Sequence, residues 1–145
     1  MAFLSSLDIS GSALTAQRLR MDVIAENVAN INTTRTAEGD PYRRRYVIFQ
    51  EKEGTSFSEQ LNQSLAGSAG SGVRVTEILE DTSEFKLDYN PTHPDADEFG
   101  YVRMPNVDLA REMVDMMSAT RSYEANVTVL NGTKSMAMNA LEIGK

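Results

Sequence analysis

The sequence predicts a mainly α fold with a small β insert: long N- and C-terminal helices pair as an antiparallel coiled coil, with a short-stranded β domain between them. Three observations carry that expectation. Positions 109, 113, 116, 120, 123, 127, 130, 134, 137 and 141 advance by four and then three, and eight of the ten are apolar or aromatic. Positions 3, 7, 10, 14, 17, 21, 24, 28 and 31 follow the same spacing, with seven of nine apolar. Between the two stretches this periodicity vanishes, and β-branched and aromatic runs punctuated by Gly, Pro and Asp replace it. A heptad seam stays on one face only if its helix supercoils with a partner. The C-terminal helix, about 37 residues and roughly 55 Å long, has no such partner except the N-terminal one. The expected organisation is an N-terminal helix over 1–36, a β-rich outer domain over 37–105 with a flexible Gly/Ser segment at 66–72, and a C-terminal helix over 106–145.

Taken in order, Ser5, Ser6 or Asp8 can cap the first helix by offering an oxygen to an unpaired backbone N–H. Gly11 costs about 1 kcal/mol against alanine and leaves room for another backbone. The pattern is strong from Ala13 to Ile31, yet Asn27 and Asn30 are poor interior helix formers. Either Asn30 lies near a fraying end or both amides bond across an interface. Asn32 to Pro41 reads as a loop, and Tyr42 to Glu51 as a strand whose basic face, Arg43 and Arg45, meets a neighbour's carboxylates. The run ending in AGSAGSG at Gly72 carries no core pattern. Val73 to Leu79 alternates imperfectly, because Glu77 falls where an apolar residue is due. Glu84 to Tyr89 is cleaner, with Phe85, Leu87 and Tyr89 on one side. Asn90 to Gly100 is turn-rich, and Phe99 to Met104 makes a last strand before Pro105. These three or four strands are expected to form one small sheet that leans on the helices.

Composition narrows the function. Among 145 residues, 14 basic against 21 acidic side chains give a net charge of −7, which opposes general nucleic-acid binding. The absence of cysteine excludes disulfides, thiol catalysis and thiolate metal sites. No 18-residue apolar run exists, so no membrane span is expected, and Met1 to Ser12 lacks the basic start of a cleavable signal peptide. The single histidine, His93, lies near Asp95 and Asp97 in a proline-rich turn whose spacing matches no closed metal motif. Phosphate-loop, HExxH and GxSxG motifs are missing. The reading is therefore not an enzyme, with no catalytic residues, no cofactor and no metal.

Both ends also carry text that resembles the flagellar basal-body rod protein family. The N-terminal match is LDISGSALTAQRLRMDVIAENVANINTTRT, Leu7 to Thr36, and the C-terminal match runs from Val107 to Lys145. GDPYRRR (Gly39 to Arg45) and NPTHPDADEFGYVRMPNVD (Asn90 to Asp108) resemble a small member rather than the longer distal-rod or hook proteins. The resemblance implies a structural rod subunit that assembles around the export channel and transmits torque for motility. It implies export by the flagellar type III apparatus without a cleaved signal peptide. Its implied partners are other rod proteins and copies of itself in a helical tube, with the export apparatus besides. The second reading, a soluble helical adaptor or chaperone of a secretion apparatus, uses the same seam on one partner helix. The expected assembly interface is Leu7, Leu14, Met21, Ile24, Asn27, Val28 and Asn30 on the first helix. On the second it is Leu109, Met113, Met116, Tyr123, Val127, Leu130, Gly132 and Leu141. Gly132 is expected to admit a neighbouring helix, and Asp115 and Glu124, off the stripe, are expected to be replaceable charges.

Overall fold

The computed structural model describes residues 2–52 and 72–143, with side chains from 5 to 142. The flexible segment expected at 66–72 lies outside the described residues except for Gly72. Helix α1 spans Ala2–Ala29 and helix α2 spans Leu109–Ile143; β1 (Arg45–Glu51), β2 (Val73–Glu80), β3 (Lys86–Tyr89) and β4 (Tyr101–Met104) lie between them. At 28 and 35 residues the helices are about 42 and 53 Å long.

Helix α2 starts because Asp108 caps it: its carboxylate accepts the Ala110 N–H at 3.0 Å and its carbonyl accepts the Glu112 N–H at 2.9 Å. Its many hydroxyl and amide residues stay helical by bonding back four residues. Thr120, Ser122, Asn126, Thr128, Thr133 and Ser135 each donate to the carbonyl one turn earlier. Helix α1 frays at Asn30, whose amide donates to the Glu26 carbonyl at 3.0 Å and accepts the Thr33 hydroxyl at 3.1 Å.

The strands form two separate antiparallel ribbons, β1–β2 and β3–β4, which corrects the expected single sheet. The imperfect alternation of β2 has a physical cause. The register steps from Ile48 opposite Glu77 to Phe49 opposite Val75, so Thr76 is an extra residue on β2. That bulge puts Val47 opposite Ile78, Phe49 opposite Val75 and Glu51 opposite Val73. Without it a one-residue slip would turn half of β2's apolar side chains to the other face. The ribbon lies on α1, and the start of β2 comes close to that helix. The Ser12 hydroxyl accepts the Val73 N–H at 3.1 Å, and Gly72 has a φ of 107°. A Cβ at Gly72 would fall on Ser12 Oγ. The close backbone approach expected at Gly11 is thus made at Ser12, while Gly11 faces open space.

Ribbon β3–β4 keeps Leu87 and Tyr89 on one side, and that side faces outward: they are 67% and 64% exposed, beside Tyr101, while Val102 is the ribbon's buried residue. The ribbon is tethered through loops: Lys86 Nζ donates to the Val107 carbonyl at 2.6 Å, and the Thr34 hydroxyl to Asp95 at 2.8 Å.

Candidate assembly interface

Where the helices meet the insert, a polar junction is built around Asn27 and Glu112, both 0% exposed. Asn27 sits in the last turns of α1 and its side-chain amide pairs with the Arg45 peptide as a neighbouring strand would. It accepts the Arg45 N–H at 2.9 Å and donates to the Arg45 carbonyl at 2.8 Å. Its carbonyl oxygen also accepts the Tyr42 hydroxyl at 3.0 Å, and its second N–H donates to Glu112 Oε2 at 3.0 Å. The full hydrogen-bonding capacity of the amide is used. Glu112 Oε1 accepts Arg44 Nε at 2.6 Å, and the same guanidinium reaches Asp115 at 3.3 Å.

Asn106 holds the other side of the insert. It accepts the Arg44 N–H at 2.8 Å and donates to the Asp81 carbonyl at 3.0 Å and the Ser83 hydroxyl at 2.9 Å. Hydrogen bonds from the Ser83 backbone and side chain hold Asp81 below the usual carboxylate range. Burial, reinforced by the Glu26 carboxylate, pushes the Tyr42 phenol up to about 12. The arginine run is therefore spent within the chain. Arg43 stacks on Phe85 at 4.4 Å, Arg44 enters the junction, and Arg45 reaches Glu26 at 3.2 Å and Glu80 at 3.4 Å. For Arg45 the expected carboxylates are the protein's own, whereas Arg43 meets the Phe85 ring and the Asp81 carbonyl instead.

Away from the junction the helices lie against each other. Arg20 pairs with Asp115 at 3.5 Å, and the Thr120 hydroxyl lies 3.7 Å from the Met21 sulfur. On α1, Ile24 and Asn27 are buried, and Leu7, Leu14, Met21, Val28 and Asn30 are half-buried. Of the alternatives for the asparagines, Asn27 bonds across an interface and Asn30 marks the fraying end. On α2 the covered stripe runs 112, 116, 119, 123, 126, 130, 133 and 137. Met116, Tyr123 and Leu130 lie on it and Val127 is half-buried at its edge. Leu109, Met113 and Leu141 do not belong to the within-chain seam: they are 46%, 58% and 75% exposed. Gly132 too is exposed, with open space where a Cβ would go. The seam is rotated by one position at every other step because Glu112, Ala119, Asn126 and Thr133 occupy it. A reading that follows apolar side chains passes over small and polar ones. Asp115 is likewise not a spare charge, since it holds both Arg20 and Arg44.

The residues around His93 serve as turn acceptors. His93 Nδ1 accepts the Asp95 N–H at 3.1 Å, and Asp97 accepts those of Phe99 and Tyr101, each at 2.9 Å.

Two long terminal helices clasped through a polar junction, with a large apolar face of α2 still uncovered, define a structural subunit built for assembly. The chain belongs to the flagellar basal-body rod protein family, whose members are structural rod subunits. The family described as "Flagella basal body rod protein" matches residues 7–35, and "Flagellar basal body rod FlgEFG protein C-terminal" matches residues 99–143. Curated relatives extend the match to nearly the whole chain, and each is the flagellar basal-body rod protein FlgC. That of Bacillus subtilis (strain 168) is 58% identical over 146 residues, covering 97% of each chain. That of Borreliella burgdorferi is 48% identical, covering 99% of this chain and 98% of its own. That of Escherichia coli O6:H1 is 46% identical over 145 residues and the full length of both. The chain is a structural subunit of the flagellar basal-body rod, and among the described residues no helix is long and apolar enough to cross a membrane.

Proposed function

We propose that the chain joins other rod proteins and copies of itself in a helical tube around the export channel, with α1 and α2 as an antiparallel coiled coil forming the axial layer. The insert faces outward, and the assembled helices carry motor torque toward the hook. The cross-helix contacts support the antiparallel pairing: Asn27 meets Glu112, while Met21 and Arg20, earlier on α1, meet Thr120 and Asp115, later on α2. The observation that carries assembly is the face of α2 that α1 leaves bare. Torque passes through such contacts because apolar area buried between subunits stabilises by about 25 cal/mol per Å². In this reading the chain passes through the export apparatus without a cleaved signal peptide.

The test uses the absence of native cysteine. A Met21→Cys, Thr120→Cys chain in isolated basal bodies should form a disulfide within one chain on mild oxidation. Its intact mass should retain the N-terminal helix sequence. Reduced thiols in the assembled rod would rule out the proposed pairing, and a shortened N-terminus would rule out uncleaved export.

A further inference from the structure

We propose that Asn131–Gly132 is a site of covalent modification: where the last turns of α2 open, the Gly132 nitrogen displaces ammonia from the Asn131 side chain. Of nine asparagines in the chain, Asn131 is the one that glycine follows. It is exposed, and among the described residues its side-chain amide makes no hydrogen bond; its backbone carbonyl accepts the Ser135 hydroxyl at 3.0 Å. The side chains of Asn27, Asn30, Asn90, Asn106 and Asn126 are all engaged in hydrogen bonds. Gly132 has open space where a Cβ would stand, so no side chain of its own shields its nitrogen.

The reaction needs base and water alone, and nothing is oxidised or reduced. Gly132 loses its amide proton to hydroxide, and its nitrogen bonds to Asn131 Cγ to close a succinimide ring. The Cγ–Nδ2 bond breaks, and ammonia leaves with a proton taken from water. Water then opens the ring. Attack at Cγ yields aspartate; attack at the Asn131 backbone carbonyl yields isoaspartate, whose main chain runs through Cγ.

Folded α2 withholds this reaction. The Gly132 N–H is held by the Thr128 carbonyl four residues back, and the helical backbone keeps the nitrogen from turning toward Cγ. The guard is thin here. Asn27, Arg20 and Met21 hold α2 at Glu112, Asp115 and Thr120, well before the site. From Gly132 to Glu142 the covered residues are Thr133 and Ala137, both small. A helix end that buries so little apolar area opens at low cost, and the glycine weakens it further. Isoaspartate adds a backbone atom, so the hydrogen-bonded rings that span residue 131 no longer close. A converted chain cannot rebuild α2 past the site and is lost to the rod, a consequence that rests on the assembly reading above.

The experiment follows the full chain in mildly alkaline buffer, with and without urea, by mass spectrometry of the peptide that holds residue 131. Conversion should be roughly tenfold faster in urea, where α2 no longer guards the pair. Equal rates, or no conversion at Asn131 in urea, overturn the proposal. In urea, where the helix plays no part, Gly132→Ala should slow conversion roughly tenfold and Asn131→Gln should stop it. An unchanged rate in either variant also overturns it. In cells, isoaspartate at 131 should be found in unassembled chains and be absent from isolated basal bodies. An equal share in both overturns the exclusion from the rod. A wild-type chain missing from basal bodies would instead sink the function reading and leave the urea result standing.

Discussion

The two ends of the helix pair are held by different physics. At the junction, Asn27, Arg44, Asn106 and Glu112 satisfy one another at 2.6–3.0 Å and tie both helices to the insert. At the far end the buried positions are Ser10, Ala16 and Thr133, beside half-buried Leu14 and Leu130, and nothing ionic crosses the seam there among the described residues. A polar network fixes one geometry, because a half-satisfied alternative is penalised in a low-dielectric setting. A seam of small and hydroxyl residues adheres weakly in any register. The difference teaches that the junction sets the register, while the far end adds little that would fix it.

The strongest way to break this contrast is Glu112→Leu. It leaves the Arg44 guanidinium buried without its closest partner, and removing one member of a buried pair costs about 3–5 kcal/mol. Thr133→Ala at the far end should cost under about 1.5 kcal/mol, the net scale of one hydrogen bond. Thermal unfolding of the two purified variants compares them directly. Equal shifts would show that the junction has no special weight.

Next in size is the alkaline limit. Tyr42 donates to Asn27, and its phenol is raised to about 12 in the fold from an ordinary value of 10.0. The folded state therefore holds its proton more tightly. The stability it contributes is complete below pH 10 and is lost as pH rises through about 12. The loss is on the order of 2 kcal/mol. Denaturant titrations between these limits should show it, and Tyr42→Phe should remove that slope while costing one hydrogen bond at neutral pH. Asp81 acts oppositely: its lowered value adds stability above the ordinary carboxylate range that disappears as acid protonates it.

The architecture was legible because heptad spacing and strand alternation are written in apolar residues, and both helices stand where that spacing put them. The rotation of the α2 seam was not, since Glu112, Ala119, Asn126 and Thr133 are residues that spacing rules assign to the surface. The junction left one trace, an asparagine at position 27 in a helix with no local use for it. Its partners at 42, 44, 45, 106 and 112 are brought together only by the fold. Arg43 to Arg45 looked like a surface feature because a run of like charges gives no sign of which carboxylates the topology will supply. The bulge at Thr76 was visible only as a broken alternation.

A smaller effect sharpens the account of the far end. Gln17 Oε1 is covered and has no hydrogen-bond partner among the described residues, a polar seam position that favours one pairing at the expense of stability. Gln17→Leu should raise the stability of the isolated subunit by about 1–2 kcal/mol, read as an increase in melting temperature. A fall would mean that the amide is serving the subunit's own fold.

The smallest predicted change is at Gly132, where the two environments of α2 pull in opposite directions. Among the described residues nothing lies within 4 Å of the position a Cβ would take, and the residue is within α2. Gly132→Ala should therefore stabilise the free chain by up to about 1 kcal/mol, through the lower conformational entropy that alanine loses on becoming helical. The assembled rod should report otherwise. Close approach of a neighbouring subunit's helix would put the added methyl against it, and small-to-large changes in packed contacts cost about 1–3 kcal/mol. The expected signature is a purified subunit that melts higher while a smaller share of it is found in basal bodies. A gain in both would mean that no helix comes close at this level of α2. A loss in both would mean that the glycine matters to the fold of the subunit itself, as Gly72 does against Ser12.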